Sequence, residues 1–244
     1  MKRRKLHAWP VISALILLLC ATGLAAPETK AKTPEEKNPA FAPITENPAL
    51  PRVLIIGDSI SIGYTLEVRR LLEGKANVLR IPVNGGPTTN GMKNLDAWLG
   101  TGKWDVIHFN WGLHDLKRMK DGKMNTAGEW QVAPDAYKGN LEALVGKLKA
   151  TGAKLIWATT TPVPKGANGR VKGDEVKANV LAAEVMKANG VAVDDLYAKV
   201  LPGLPQHQLS RNVHYNDDGY AFLAKQVAGS ILEALKTVPA SAAK

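Results

Sequence analysis

Residues 52–64 read RVLIIGDSISIGY, from Arg52 to Tyr64. Val53, Leu54, Ile55 and Ile56 form an unbroken apolar run bounded by Pro51 and Gly57. The run is too short for a helix, and its branching suits a strand buried on both faces. Past Gly57-Asp58-Ser59 the period changes. Ile60, Tyr64, Val68, Leu71 and Leu72 fall three or four apart, so a helix begins just beyond Ser59. A serine therefore stands on a strand-to-helix turn, where unpaired backbone N–H groups and the helix dipole suit an oxyanion. The other reading of Ser59 is a plain helix cap, and the turn alone does not separate the two.

Outward from this unit the pattern repeats. Asn77 to Val83 reads as a second strand, followed by the loop NGGPTTNG and a helix carrying Met92, Leu95 and Leu99. Gly85 and Gly86 stand where the backbone must approach a ligand closely or make a plain turn. Val106, Ile107 and Phe109 mark a third strand with His108 as a packed core residue, and His114 and Asp115 follow the strand end. Leu116 to Pro134 is an insertion, either a substrate flap or a solvated charged loop. Tyr137, Leu141, Leu144, Val145 and Leu148 lie on one helix face. KLIWATTTPVP supplies a fourth strand, Asp174 to Ala188 a helix, and Val191 to Val193 a short fifth strand. An irregular segment from Pro202 to Tyr215 carries His207 and His214. The last helix begins around Asn216-Asp217-Asp218, whose side chains suit its cap and dipole. Alternating strands and helices predict an α/β protein, a three-layer α/β/α sandwich on a five-stranded parallel sheet. Its βα loops gather at the carboxyl edge, bringing Ser59, Gly86, His114 and Asp115 to one site.

Gly57-Asp58-Ser59, Gly86-Pro87-Thr88-Thr89, Gly112-Leu113-His114-Asp115 and Val213-His214 together resemble the SGNH (GDSL) hydrolase family, over about residues 52 to 236. The resemblance implies a flavodoxin-like strand order 2-1-3-4-5, Ser59 as nucleophile, His214 as base, and Ser59 N–H and Gly86 N–H as oxyanion donors. Two positions depart from the family pattern. His114 stands in the place of the usual Asn and is expected to donate to the oxyanion in its stead. Arg211 and Asn212 replace the acid that ordinarily precedes the base. A Ser59/His214 dyad is therefore expected, with a backbone carbonyl or the Asn212 side-chain oxygen holding the second ring nitrogen and Arg211 turned to solvent. Asp58 and Asp115 are candidate supporting residues, and Asp115 reads equally well as a loop or cap residue.

The chain has 244 residues, 45% of them apolar, enough for one sizeable core. Lys2, Arg3, Arg4 and Lys5 precede an apolar run from Val11 to Leu19 and then small residues, the order of a secretory signal. Residues 1–25 are read as that signal, 26–51 as a disordered linker rich in Pro, Lys and Glu, 52–238 as the hydrolase domain and 239–244 as a tail. The rival to cleavage is a retained anchor. Cys20, the only cysteine, falls in the signal, so the exported chain would carry no thiol chemistry. Losing the signal's four cations lowers the formal charge from +10 to +6. That is mildly basic and suits polyanionic surroundings such as acidic polysaccharide, but no Lys/Arg run is dense enough for nucleic acid.

No cofactor or metal is expected, since the chain has neither a P-loop nor a His-Glu-x-x-His motif. The leading function is a secreted or periplasmic serine esterase acting on small-molecule or polysaccharide esters, with acetyl groups on carbohydrate as substrate and Trp111 and Trp130 either stacking on sugar or packing in the core. No stable membrane span is expected after cleavage, and the oligomeric state is left open. The alternative is a non-hydrolytic carbohydrate-binding protein on the same scaffold. Acyl length and alcohol are not legible.

Overall fold

The computed structural model describes residues 38–238. The expected signal, the first part of the linker and the tail at 239–244 lie outside the described residues. Five strands, β1 (Arg52–Ile56), β2 (Asn77–Arg80), β3 (Val106–Phe109), β7 (Lys154–Ala158) and β8 (Ala192–Asp194), form one sheet in the order β2-β1-β3-β7-β8. Every pairing in it is parallel. This is the expected five-stranded order. β1 is central: Val53 to Ile56 are each no more than 2% exposed. Burying each such side chain contributes roughly 1.5–3 kcal/mol, which is why this short run organises the chain.

Helices α1 (Ser59–Leu71), α2 (Thr88–Leu99), α3 (Pro134–Ala150), α4 (Asp174–Asn189) and α7 (Asp217–Leu235) cover the sheet, with short α5 (Leu196–Val200) and α6 (Leu204–His207) before the last. β2 is shorter than expected. Ile81 N still donates to Ile55 O at 3.1 Å, but Pro82 has no N–H to continue the ladder. The fifth strand is shifted one residue later than expected, because the pairing partners of β7 run from Ala192 to Asp194.

Two segments differ more from the sequence reading. The insertion is built, not loose: β4 (Arg118–Lys120), β5 (Lys123–Met124) and β6 (Glu129–Trp130) make a small antiparallel sheet in the order β5-β4-β6. Arg118 ties it to α4 through Asp174 at 2.8 Å. Trp130 packs edge-on to Tyr137 and Trp111 is 1% exposed, so both are core residues. The linker expectation also ends early. From Asn38 the chain is docked: Pro39–Phe41 is a 3-10 turn, Ala40 is buried, and Asn77 exchanges hydrogen bonds with Asn47 and donates to Leu50 O. Asn77 sits at the start of β2 with no neighbour of its own to satisfy its amide, and the strap supplies one.

Candidate active site

Ser59 is the first residue of α1, and Asp58 is its N-cap, accepting from Ile60 N at 2.9 Å. Because Asp58 performs the capping, the Ser59 hydroxyl is left to point elsewhere, and the plain-cap reading of Ser59 does not hold. Ser59 Oγ lies 2.8 Å from His214 Nε2. The turn beneath it is clamped from the second strand. Arg80 Nη2 donates to Gly57 O at 3.3 Å and to Ser61 Oγ at 2.8 Å, while Ser61 Oγ donates to Asp58 O at 2.7 Å. Gly85 N also donates to Gly57 O, at 3.0 Å. A Cβ on Gly85 would lie 2.9 Å from that carbonyl oxygen, so only glycine brings the second loop this close.

The tautomer of His214 follows from its neighbour. His214 N, an unambiguous donor, bonds Asn212 Oδ1 at 3.1 Å, so the Asn212 atom facing it is the oxygen. The same oxygen lies 2.7 Å from His214 Nδ1, which must therefore carry the proton. Nε2 is left as an acceptor toward the Ser59 hydroxyl. Burial holds the His214 imidazole below its usual pKa; the Asp58 carboxylate opposes this and the Arg170 guanidinium adds to it. The ring is neutral at neutral pH. Arg211 is exposed, in a left-handed conformation with φ 56°.

Of the other expected residues, His114 is half-buried within electrostatic reach of His214. Burial lowers its pKa, with Asp58 opposing and Arg170, Lys117 and His214 reinforcing. Gly86 has φ 61°, in the left-handed region, and its N–H donates to Asn84 Oδ1 at 3.0 Å. That expected oxyanion donor is thus engaged by a side chain two residues away. Asp115 is bonded to the start of α2 and not to Ser59 or His214. Pro87, the N-cap of α2, makes no side-chain cap bond, and Asp115 Oδ1 replaces it, accepting from Thr88 N at 2.8 Å and Thr88 Oγ1 at 2.5 Å. Burial nonetheless raises the Asp115 carboxyl to about 7. Asp115 thereby ties the third loop to the second. Asp194 is committed elsewhere too, to buried His108 at 3.0 Å, so neither of these two carboxylates reaches His214.

Sequence reading missed Asn84, Arg80 and Arg170. An Arg within a buried strand was the one available signal for Arg80; nothing local marks the others. Among the described residues no group of three or more His, Cys, Asp or Glu side chains is placed to hold a metal ion, and no helix is long and apolar enough to cross a membrane.

The model of the GDSL-like lipase/acylhydrolase family matches residues 55–222. No curated protein matches the chain. Among solved structures, an acetyl xylan esterase, AlAXEase, is 17% identical with a TM-score of 0.61, the match covering 74% of this chain and 99% of that one. A lipase/acylhydrolase from Enterococcus faecalis is 21% identical, with a TM-score of 0.62 and coverages of 74% and 95%. An acetylxylan esterase from Geobacillus stearothermophilus is 18% identical, with a TM-score of 0.62 and coverages of 74% and 94%. At such identities these likenesses speak to the fold.

Proposed function

We propose a mechanism and a substrate class for this chain, which belongs to the GDSL-like lipase/acylhydrolase family and is a carboxylic ester hydrolase: an exported serine esterase that removes small acyl groups from carbohydrate through a Ser59/His214 dyad. The observation that carries the mechanism is the 2.8 Å approach of Ser59 Oγ to an acceptor Nε2 whose tautomer Asn212 fixes. In this reading Ser59 Oγ attacks the ester carbonyl as its proton passes to His214 Nε2. The tetrahedral oxyanion is met by the Ser59 N–H, by Gly86 N–H once Asn84 releases it, and by the His114 ring. Collapse expels the alcohol, which takes the proton from Nε2 and leaves an acyl-Ser59 ester. A water molecule, deprotonated by His214, then attacks that ester and frees the acid.

Asn212 contributes orientation and no negative charge. The charge that stabilises the imidazolium is supplied by Asp58, which raises the pKa of His214 from outside hydrogen-bond contact. A non-hydrolytic binding role draws no support from a serine hydroxyl seated against an acceptor imidazole. The carbohydrate preference is supported by the acetyl xylan esterases among the similar folds. Export rests on the signal-like residues 1–25.

The test of the substrate class is a series of aryl esters from acetyl to octanoyl, run beside acetylated xylan. Highest kcat/KM at acetyl, with acetate release from the polymer, is the expected result. A maximum at long chains with no release from the polymer would overturn it.

A further inference from the structure

Arg170 reaches the active site from the segment between β7 and α4. Its Nε donates to Leu113 O at 2.8 Å, the carbonyl next to His114, and its Nη1 donates to Asn168 O at 3.3 Å. Among the described residues most of the guanidinium's N–H donors have no partner, although the side chain is half-buried and burial disfavours its charge. Its field is felt at Asp58, His114 and His214.

Lys117 adds a second cation. It adjoins β4, where Gln131 N donates to Lys117 O at 2.7 Å, so successive side chains there alternate in direction. Arg118 turns to Asp174 on α4, and Lys117 turns the other way, into range of Arg170 and His114. Among the described residues neither Arg170 nor Lys117 has an ion-pair partner, whereas Arg118 does. Of the carboxylates nearest the site, Asp58 is buried as the α1 cap and Asp115 is bonded to Thr88.

Arg170 and Lys117 are like charges held partly desolvated within range of each other, with Asp58 acting on Arg170 only from outside ion-pair contact, and a bound anion recovers the free energy this costs. We propose that Arg170, supported by Lys117, binds a carboxylate on the alcohol half of the ester, so that the preferred substrates are acyl esters of uronate-bearing, acidic saccharides. The charge belongs to the alcohol half because the acyl group is small; to that extent the inference rests on the proposed esterase reading. The basic balance of the exported sequence points the same way, since it draws polyanionic polymers toward the domain.

The experiment compares acetate release from a methyl O-acetylglucuronoside and from the neutral O-acetylglucoside at low salt. The wild type should favour the glucuronoside in kcat/KM by about tenfold, the value of one charge-assisted hydrogen bond. Added salt should shrink that preference. Arg170→Gln should bring the ratio close to one, Arg170→Lys should keep part of it, and Lys117→Gln should lower it severalfold. Lys172→Gln removes the same net charge from an exposed position and should leave the ratio as it was. Equal hydrolysis of the two sugars by the wild type, or an equal loss on both in Arg170→Gln and no change of ratio in Lys117→Gln, would overturn the proposal while leaving the esterase reading intact. Release from neither sugar, with simple aryl acetates still cleaved, would overturn the carbohydrate reading as well.

Discussion

Ser59 Oγ and His214 Nε2 are 2.8 Å apart although 155 residues separate them in the chain. The contact needs every layer of the fold. β1 delivers the serine to the carboxyl edge, and the segment ahead of α7 returns the histidine to the same edge. The turn from Leu209 to His214, closed by Leu209 N donating to His214 O at 3.0 Å, sets the ring's height over the serine.

Asn212 separates orientation from charge. Asn212→Ala removes the acceptor for Nδ1 and for the His214 backbone N–H but no charge, and should lower kcat about tenfold, a modest loss beside that of the base itself. Asn212→Asp puts a carboxylate there and should raise the His214 pKa by roughly one to three units. Its acid limb in kcat/KM should therefore move to higher pH, and pH–rate profiles of the two variants check this. An unmoved limb in Asn212→Asp would mean that His214 is not the titrating base.

In the unmodified protein, burial and Arg170 together hold His214 below the usual imidazole value. The proposed mechanism needs the neutral ring. The acid limb of kcat/KM for a neutral ester should therefore fall below about pH 6.5, the ordinary histidine value, and activity should be lost as the pH drops through it. A limb above pH 7 would contradict this.

The oxyanion site should respond in opposite directions to two substitutions. His114→Ala should lower kcat by about 10²-fold to 10³-fold, the loss seen for one removed donor, and His114→Asn should retain more activity than Ala. Asn84→Ala frees Gly86 N–H from a competing bond worth about 1 kcal/mol and should raise kcat by up to about fivefold. A tenfold fall in Asn84→Ala would show that the loop needs Asn84 more than the transition state needs Gly86.

Asp115 makes a prediction about stability. Its folded carboxyl titrates at about 7, above the ordinary 3.8, because burial outweighs the Thr88 bonds. The folded state then holds a proton that the unfolded chain gives up, so this group's contribution is full below about pH 4 and is lost as the pH rises to 7. Denaturant titrations should show the wild type losing stability relative to Asp115→Asn across that window. A constant difference would mean that the carboxyl is ionised throughout.

Much of this was legible because it is local and periodic. The apolar run Val53–Ile56, the change to helical spacing after Ser59 and the substitution of Asn212 for an acid all lie within a few residues of what they determine. The strap from Asn38 to Leu50 was not legible, since Pro-, Lys- and Glu-rich composition describes a solvated chain and is silent about Asn77 waiting on the fold for partners. Asp115 as the cap of α2, Asn84 over Gly86 and Arg170 on Leu113 O are single polar contacts without a period. Arg170 in particular stands in a Gly- and Lys-rich segment where a solvated side chain is the default expectation.

The signal reading is checked by intact-mass measurement of exported protein, which should begin at Ala26 or within a residue or two of it. A full-length product retained in the membrane would contradict it.

The central claim is that Ser59 is the nucleophile. Its most direct test is reaction with an organophosphorus ester followed by peptide mass mapping, run beside the kinetics of Ser59→Ala. One adduct on the peptide containing Ser59, with hydrolysis lost in step with labelling and reduced on the order of 10⁶-fold in Ser59→Ala, is the predicted result. An unlabelled Ser59, or a Ser59→Ala variant that keeps more than a few per cent of wild-type hydrolysis while folded, would contradict it.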